Sequence, residues 1–408
     1  MSHAPINRTE EFVHRICENS FLSLWCYANP RAKPGKELCD ILVVCEPAVI
    51  IVSVKEIKLN EQKEPAVAHA RWEKKAITDS VKQIYGAEGW LATASNVIRN
   101  DGSPGLKLPP PEIRRTFRIA VAFGAGGQAI VKSGDFGEGF VHVMTEQSFH
   151  EVLTELDTIT DLTEYLTAKE TLVQGKSLVV CEGSESNMLG WYLTHEHSFP
   201  QGKDVIMFDD TIWAGLQTDV AFLRRKVADE GSYAWDRLIE GLSDPRAKPV
   251  EGAGPELNEL ELALRQMARE SRLNRRALGA EARDFVVAAQ AGKLRSRLLC
   301  SKSGLIFVMV YFPPTETPEM RRNEIIGRCY VGRQRMGQGD VLVGIGLSRH
   351  VPGLGSASDL IYLKFPRWSD EDDVFAREIQ ERLGYFANVP TRHRHEDEFP
   401  TETTPQPP

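Results

Sequence analysis

The feature that most constrains the fold is a pair of apolar runs separated by a short turn. "LCDILVVC" (38–45) and "VIIVSVKEI" (49–57) are rich in β-branched residues, and "EPA" joins them. Such runs bounded by turn residues are typical of strands, so the sequence predicts an antiparallel hairpin. Asp40 lies near the start of the first strand and Lys55 near the end of the second. A run this apolar has no use for an ammonium group unless an anion meets it there.

Strand geometry relates the polar side chains of this hairpin. Alternate residues of a strand share a face, so Ser53 and Lys55 point to one side of the sheet. An antiparallel partner strand can bring the Asp40 carboxylate beside them, in a register that the sequence leaves open. The simpler alternative is a structural ion pair between Asp40 and Lys55 at the end of the hairpin.

Helical and strand patterns surround the hairpin. Apolar residues at helical spacing predict a helix from Thr9 to Trp25, with Glu10 and Glu11 in its first turn. A second long helix (70–98) carries Gln83, and further strands are predicted within 116–134, 140–144 and 177–181. The predicted fold is therefore a mixed α/β domain with helices flanking a central sheet, over residues 1–185.

The second half of the chain predicts a separate α/β domain. A polar stretch (181–204) is interpreted as an irregular linker, and a long charged helical region (255–292) follows. Strands are predicted at 304–312, 340–348 and 359–365, with helices at 317–336 and 371–386. The predicted second domain spans 186–390, and the polar end (391–408) is predicted to be a disordered tail.

The side chains of the hairpin suit metal-dependent hydrolysis. A carboxylate such as Asp40 can hold Mg²⁺, and a lysine such as Lys55 can face the same phosphate, once an acid from the nearby helix joins them. Phosphodiester hydrolysis fits this set better than acyl transfer, because the sequence has no nucleophile elbow or convincing triad.

The same residues carry a resemblance to a known family. A helix with an early glutamate, an aspartate at a strand start, a hairpin ending "SVK" and a helix with a glutamine resemble the PD-(D/E)xK superfamily over residues 8–125. The order of acids is similar to its Mrr and Holliday-junction-resolvase branches. The resemblance implies a restriction-endonuclease-like sheet, with Asp40 as metal ligand and Lys55 as catalytic lysine. It also implies a place near the site for Gln83.

One position departs from the family pattern. Ser53 stands where the family usually has an acid, and a hydroxyl is a poorer Mg²⁺ ligand than a carboxylate. Another acid must then complete the metal site. The resemblance favours Glu11 over Glu10 for this role, and Glu37 is a weaker candidate because it precedes the strand. Glu46, at the hairpin turn, is another weaker candidate.

These features predict a Mg²⁺-dependent or Mn²⁺-dependent nuclease. The resemblance favours DNA over RNA and suggests a bacterial role in restriction, repair or antiviral defence. The second domain is expected to bind or regulate, with a protein partner or self-association as options. Two alternatives stay open: an inactive relic of the fold that binds nucleic acid or scaffolds a partner, and a protein-interaction factor whose C-terminal domain carries the function.

Composition and charge limit the partners and the cellular compartment that the sequence predicts. The formal net charge of -8 argues against coating nucleic acid by bulk electrostatics. Seven cysteines without a CxxC pair predict reduced thiols, and no apolar run approaches the roughly 20 residues of a membrane span, so a cytoplasmic protein is expected. Arginines at helical spacing in 265–276 and 321–335 predict either a face that tracks phosphates or a solvated face paired with glutamates.

Overall fold

The computed structural model has a mixed α/β architecture in two compact units, residues 1–222 and 223–408. The structure describes residues 7–33, 36–59, 62, 64–124, 132–175, 178–243, 257–313, 315–349, 356–387, 389 and 391–401. The predicted domain boundary at 185 therefore lies inside the first unit.

The first unit begins with a helix and then alternates strands and helices. Its helices are α1 (Arg8–Phe21), α2 (Pro65–Glu73), α3 (Asp79–Leu91), α4 (Glu146–Glu155), α5 (Ile159–Gln174), α6 (Glu185–Thr194) and α7 (Ile212–Thr218). Its strands are β1 (Cys26–Ala28), β2 (Arg31–Lys33), β3 (Lys36–Glu37), β4 (Ile41–Cys45), β5 (Ala48–Glu56), β6 (Asn96–Ile98), β7 (Pro104–Lys107), β8 (Arg115–Phe123), β9 (Gly134–Asp135), β10 (Phe140–Thr145), β11 (Leu178–Cys181) and β12 (Val205–Phe208). A π-helical turn, Lys74–Thr78, joins α2 to α3, and α8 (Val220–Glu230) crosses the boundary between the units.

The predicted hairpin forms the middle of a mixed six-stranded sheet. The strand order is β1-β4-β5-β8-β10-β9, with β4 and β5 antiparallel and β8 parallel to both β5 and β10. All of β4 and residues 48–54 of β5 are buried, because α1 and α3 both pack against β5 and cover the sheet. This two-sided burial explains why the sequence shows continuous apolar runs instead of alternation.

The predicted elements of the first unit are mostly present, with two corrections. The helix predicted over 70–98 is too long, because α3 ends at Leu91 and Asn96–Ile98 form β6. The strands predicted at 116–123 and 140–144 are confirmed, and so is the described part, 178–181, of the strand predicted at 177–181. The second strand predicted after the glycine turn falls largely on 125–131, outside the described residues. The irregular linker predicted at 181–204 is wrong, because α6 lies within it. Ser184 caps this helix, and Met188, Leu189 and Tyr192 bury one of its faces. Polar residues between those positions conceal the helical spacing.

The second unit contains the predicted α/β arrangement. Its helices are α9 (Tyr233–Ser243), α10 (Leu257–Ala268), α11 (Arg272–Gln290), α12 (Pro318–Met336) and α13 (Asp370–Leu383), and its strands are β13 (Ser296–Cys300), β14 (Ile306–Phe312), β15 (Val341–Ser348) and β16 (Ser358–Lys364). These strands form one sheet in chain order, and β14 and β15 are parallel, with α12 between them in the chain. The sequence missed β13, and the single helical region predicted at 255–292 is two helices.

Most of the arginines at helical spacing are buried inside the second unit, whereas Arg269 and Arg322 are exposed. Arg272 and Arg275 both pair with Asp236, at 2.7 and 2.6 Å. Arg321 makes two hydrogen bonds to Asp359. Further buried members of the two runs are Arg265, Arg276, Arg328 and Arg333. For these buried residues a face that tracks phosphates and a solvated face are both wrong, because their guanidinium groups lie in the core. Arg333 lies over the Trp368 ring, and the others have acids as partners.

The polar C-terminal segment contacts the second unit. Arg276 donates hydrogen bonds to the carbonyl oxygens of Asp397 and Glu398, at 2.8 and 3.2 Å. Arg225 lies 3.5 Å from the Glu398 carboxylate. Part of the segment that the sequence predicts to be a disordered tail thus has defined contacts, and 402–408 lie outside the described residues.

The sequence predicts reduced cysteines and no membrane span, and the structure bears on both expectations. All seven cysteines are free thiols, and five are buried, whereas Cys300 is exposed. In the part of the chain that the structure describes, no helix has both the length and the apolar character needed to cross a membrane.

Candidate functional site

The register of the hairpin brings Asp40, Ser53 and Lys55 to one side of the sheet. Ile41 pairs with Val52, so Asp40, one residue earlier, stands opposite Ser53. Directly opposite residues in antiparallel strands share a face, and Lys55 is two residues beyond Ser53 on that same face. Lys55 Nζ lies 4.0 Å from Asp40 Oδ2. The hairpin thus places the two charged groups together as the strand pattern predicts.

Asp40 is fixed and Lys55 is not. The Asp40 carboxylate is buried and accepts a hydrogen bond from the backbone N–H of Val54 at 2.5 Å. The Lys55 side chain is 32% exposed, and its 4.0 Å distance to Asp40 exceeds a hydrogen bond. The ammonium group is therefore held near the carboxylate, but it remains accessible to a further anion.

Two more carboxylates surround Asp40. Glu37 hydrogen-bonds the Asp40 side chain, and burial, followed by the charge of Asp40, raises the pKa of Glu37 to about 7. Burial and the same aspartate also raise the pKa of Glu10 above its ordinary value, while Lys55 opposes the shift in both groups. We call Glu10, Glu37, Asp40 and Lys55 the hairpin cluster. It holds more negative charge than its one lysine neutralises.

The helical acid of this cluster is Glu10, not Glu11, which the sequence favoured. Glu11 pairs with Arg15 at 3.2 Å, and both side chains are exposed, at 58% and 70%. Successive helical residues are rotated by about 100°, so only one of two adjacent acids faces the sheet. Helical spacing could have identified it, because Glu10 lies three residues before Val13 and seven before Cys17, the first two buried residues of α1.

Ser53 and Gln83 meet each other beside this cluster. Ser53 is buried and its hydroxyl donates a hydrogen bond to Gln83 Oε1 at 2.9 Å. Gln83 projects from α3, which packs against β5 and β8. The two residues are therefore together, as expected, and the serine hydroxyl is engaged with the glutamine amide.

Asn29 is a further member of the surroundings that sequence reasoning missed. Its backbone N–H donates to the Asp40 carbonyl at 2.8 Å. Its side chain and that of Asn7, whose amide donates to the Glu10 carboxylate at 2.5 Å, oppose the rise in the pKa of Glu10. Its Oδ1 is buried and has no hydrogen-bond partner in the structure. In the sequence it is the turn residue before Pro30, a common place for asparagine, so nothing there singles it out.

Comparison with known proteins assigns this chain to no family. No family model, curated protein or solved structure matches it. The resemblance seen in the sequence rests on the residues that carry it, Asp40, Lys55 and Gln83 among them. The chemistry of the site is therefore inferred from its own side chains.

The hairpin cluster has the ligand types, although not the spacing, of a divalent-cation site. Mg²⁺ and Mn²⁺ prefer oxygen ligands, and Glu10, Glu37 and Asp40 offer carboxylates. Carboxyl groups that contact each other, as Glu37 and Asp40 do, need a shared proton or a cation between them. The orphaned oxygen of Asn29 is a second sign of missing charge or donors. As they stand, the three carboxylates are not all within 4.8 Å of one another.

Among the described residues, that spacing occurs in a different group of acids. Glu182 follows β11, and Asp209 and Asp210 follow β12, so the carboxyl ends of two parallel strands bring them together. All three are exposed, and exposed acids at this spacing are common without an ion. We call them the β11–β12 acids; they provide a rival cation site that experiments at the hairpin cluster must exclude.

Proposed function

We propose that the chain is a metal-dependent phosphodiesterase that cleaves nucleic acid. The observation that carries this proposal is the hairpin cluster: three carboxylates and one accessible lysine at the same end of a buried hairpin. A structural ion pair needs one acid and one base at close distance. The extra acids and the long Lys55–Asp40 distance favour a site that receives a cation and an anion from outside.

Glu10, Glu37 and Asp40 would hold the cation. When bound, Mg²⁺ or Mn²⁺ polarises a phosphoryl oxygen and lowers the pKa of a coordinated water. The buried Asp40 is the fixed member, since the Val54 N–H holds its carboxylate. Glu10 and Glu37 reach it from α1 and from β3, so the acids come from three separate elements.

Lys55 would serve the phosphate. A partly exposed ammonium group beside an acid cluster can stabilise the charge that develops on phosphoryl oxygens, or orient the attacking water. Its place at the end of β5 keeps the ammonium at the rim, while the strand before it is buried. The strand therefore fixes the side chain without enclosing its charge.

The acid that the PD-(D/E)xK pattern expects at Ser53 is supplied elsewhere in this proposal. Ser53 donates to Gln83, and the carboxylates come from Glu10 and Glu37. Ser53 and Gln83 would then support the site through their hydrogen bond with each other instead of coordinating the cation. DNA is the favoured substrate, with a role in restriction, repair or antiviral defence, by resemblance alone.

Nuclease assays test the proposal directly. Purified protein is incubated with plasmid DNA, single-stranded DNA and RNA in the presence of Mg²⁺ or Mn²⁺. We expect cleavage of DNA that EDTA abolishes reversibly, and that Lys55→Ala or Asp40→Asn lowers by about 10² to 10⁴-fold. Lys58→Ala and Glu11→Gln, changes at nearby exposed residues outside the cluster, are the matched controls and should retain full activity.

Two results would contradict the proposal. Equal cleavage by wild type and Lys55→Ala would show that the site lies elsewhere. Binding of nucleic acid with no cleavage of any substrate, together with Mn²⁺ uptake that Asp40→Asn leaves unchanged, would favour the inactive relic of the fold.

A further inference from the structure

Four basic side chains of the second unit hold the C-terminal segment of the chain. Residues 396–401 form no helix or strand and contact two arginines of α8, one arginine of α11 and a lysine in the turn after β13. These side chains are Arg224, Arg225, Arg276 and Lys302. We call the four side chains the tail site, and residues 396–401 the tail segment.

Main-chain oxygens of the tail segment make most of these contacts. Arg276 donates to the carbonyl oxygens of Asp397 and Glu398, at 2.8 and 3.2 Å. Lys302 donates to the carbonyl oxygen of Glu396 at 3.3 Å. The site therefore binds three successive residues of an extended chain through groups that every peptide has.

The charges of the tail site are incompletely matched by the tail segment. Glu398 brings a carboxylate to 3.5 Å from Arg225. The other two acids, Glu396 and Asp397, instead pair with basic residues that precede them in the chain, and the Asp397 side chain is 67% exposed. Hydrogen bonds to a carboxylate are stronger than those to a neutral carbonyl. A peptide that presents more carboxylates to the site would therefore bind more tightly than the tail segment does.

The arrangement of the donors favours a polypeptide over a nucleic acid strand as the occupant. The donors meet the oxygens of consecutive residues, 396–398, which repeat at about 3.3 Å per residue in an extended peptide. Arg224 continues the row by donating to the carbonyl oxygen of Thr401. The row of donors thus follows one peptide chain over six residues.

We propose that the tail site binds an acidic, extended segment of a partner protein, and that the tail segment occupies the site until the partner displaces it. The inference concerns the second unit and does not depend on the proposed function. A tethered competitor has an effective concentration on the order of mM, so the tail segment should lower the apparent affinity for any peptide that uses the same site.

Fluorescence anisotropy of a labelled peptide with the sequence of residues 394–401, RHEDEFPT, tests this competition. The peptide should bind a chain without residues 391–408 at least about 10-fold more tightly than the full chain. In the shortened chain, Lys302→Ala should weaken the peptide by about 3 to 10-fold, because one hydrogen bond is lost. Lys293→Ala, at another exposed lysine of the second unit, is the matched control and should leave the affinity unchanged.

A full-length variant and two further ligand tests complete the experiment. Glu398→Lys removes the tail's carboxylate from Arg225 without shortening the chain, so it should also bind the peptide more tightly than wild type; it replaces the shortened chain if circular dichroism shows that chain to be unfolded. Equal affinity of wild type and the released chain would overturn the proposal. Tighter binding of oligodeoxythymidine than of the peptide would overturn it in favour of nucleic acid. A wild-type dimer that disappears without residues 391–408 would overturn it in favour of tail exchange between two copies.

Discussion

Two charged clusters among the described residues, one in each unit, are built in opposite ways. In the second unit, Asp236 receives Arg272 and Arg275 at 2.7 and 2.6 Å, an arrangement we call the arginine cluster. In the first unit, Asp40 has its lysine at 4.0 Å and two additional acids nearby. The arginine cluster has short, direct ion pairs. The hairpin cluster has more acids than bases, and its lysine ammonium group is accessible to solvent.

The difference indicates which cluster is structural. In the arginine cluster, Arg275 also donates to the backbone carbonyl of Glu270 at 2.9 Å, and Arg272 lies over the Tyr233 ring. Neutralised, hydrogen-bonded charges of this kind hold helices together. In the hairpin cluster, burial raises the pKa values of Glu10 and Glu37, and the charge of Asp40 raises them further, so folding disfavours the ionised forms of these acids. Such strain is typical of sites that await a ligand.

The largest expected effect is on the arginine cluster. Asp236→Ala leaves two buried guanidinium groups without their carboxylate, and we expect the free energy of unfolding to fall by about 3 to 5 kcal/mol. Urea unfolding followed by circular dichroism measures it. The control is Arg377→Ala, since Arg377 pairs with Asp373 at the same 2.6 Å but is 58% exposed. Its loss should cost less than about 1 kcal/mol. Equal costs would mean that burial does not distinguish the pairs.

A divalent cation should stabilise the hairpin cluster by the next largest amount. Thermal unfolding at pH 8 with Mn²⁺ at 100 times its Kd should show about 2.7 kcal/mol of added stability. The effect should shrink as the pH falls below 7, because protons compete for Glu37, whose pKa is about 7.

Two variants show where that cation binds. Asp40→Ala should abolish the Mn²⁺ stabilisation, whereas Asp209→Asn, which changes the β11–β12 acids, should retain it. The reverse pattern would move the cation site to the β11–β12 acids and contradict the proposed function.

Removing one acid should relieve the repulsion in the hairpin cluster. Because the pKa of Glu37 is higher in the folded chain than its ordinary 4.5, wild type loses stability from this group as the pH rises from about 4.5 through 7. Glu37→Gln should therefore be more stable than wild type at pH 8 and equal to it at pH 4. After a discount for solvent screening of this exposed side chain, we expect a gain of about 1 kcal/mol. A loss of stability at pH 8 would show that the acids of the cluster are already neutralised.

Sequence alone predicted the parts of the site that strand periodicity controls. Ser53 and Lys55 lie on one face because side chains alternate between the two faces of a strand. The turn at Pro47 pairs Cys45 with Ala48, and this register places Asp40 opposite Ser53. Glu37 precedes a strand start, where no periodicity applies, so its contact with Asp40 depends on how β3 is placed in space.

The arginines show that a sequence pattern can predict a helix without predicting which of its faces is buried. Their helical spacing gave the correct elements, but an Arg/Glu pattern is the same for a solvated face and for a face buried against acids from a distant part of the chain. Asp236 lies 36 residues before Arg272 in the chain, and only the tertiary structure brings them together. Charge patterns along a helix therefore predict the helix better than they predict its exposure.

The smallest expected effect separates two neighbouring acids. Glu11→Gln removes an exposed pair with Arg15 and should lower the free energy of unfolding by about 0.3 to 0.5 kcal/mol, with no effect on Mn²⁺ binding. Glu10→Gln removes a carboxylate whose pKa is raised, so it should leave stability at pH 8 unchanged or higher while weakening Mn²⁺. Parallel calorimetry and urea unfolding of the two variants measure both quantities. If Glu11→Gln, and not Glu10→Gln, lowered the Mn²⁺ affinity, Glu11 would be the helical ligand, as the sequence predicts.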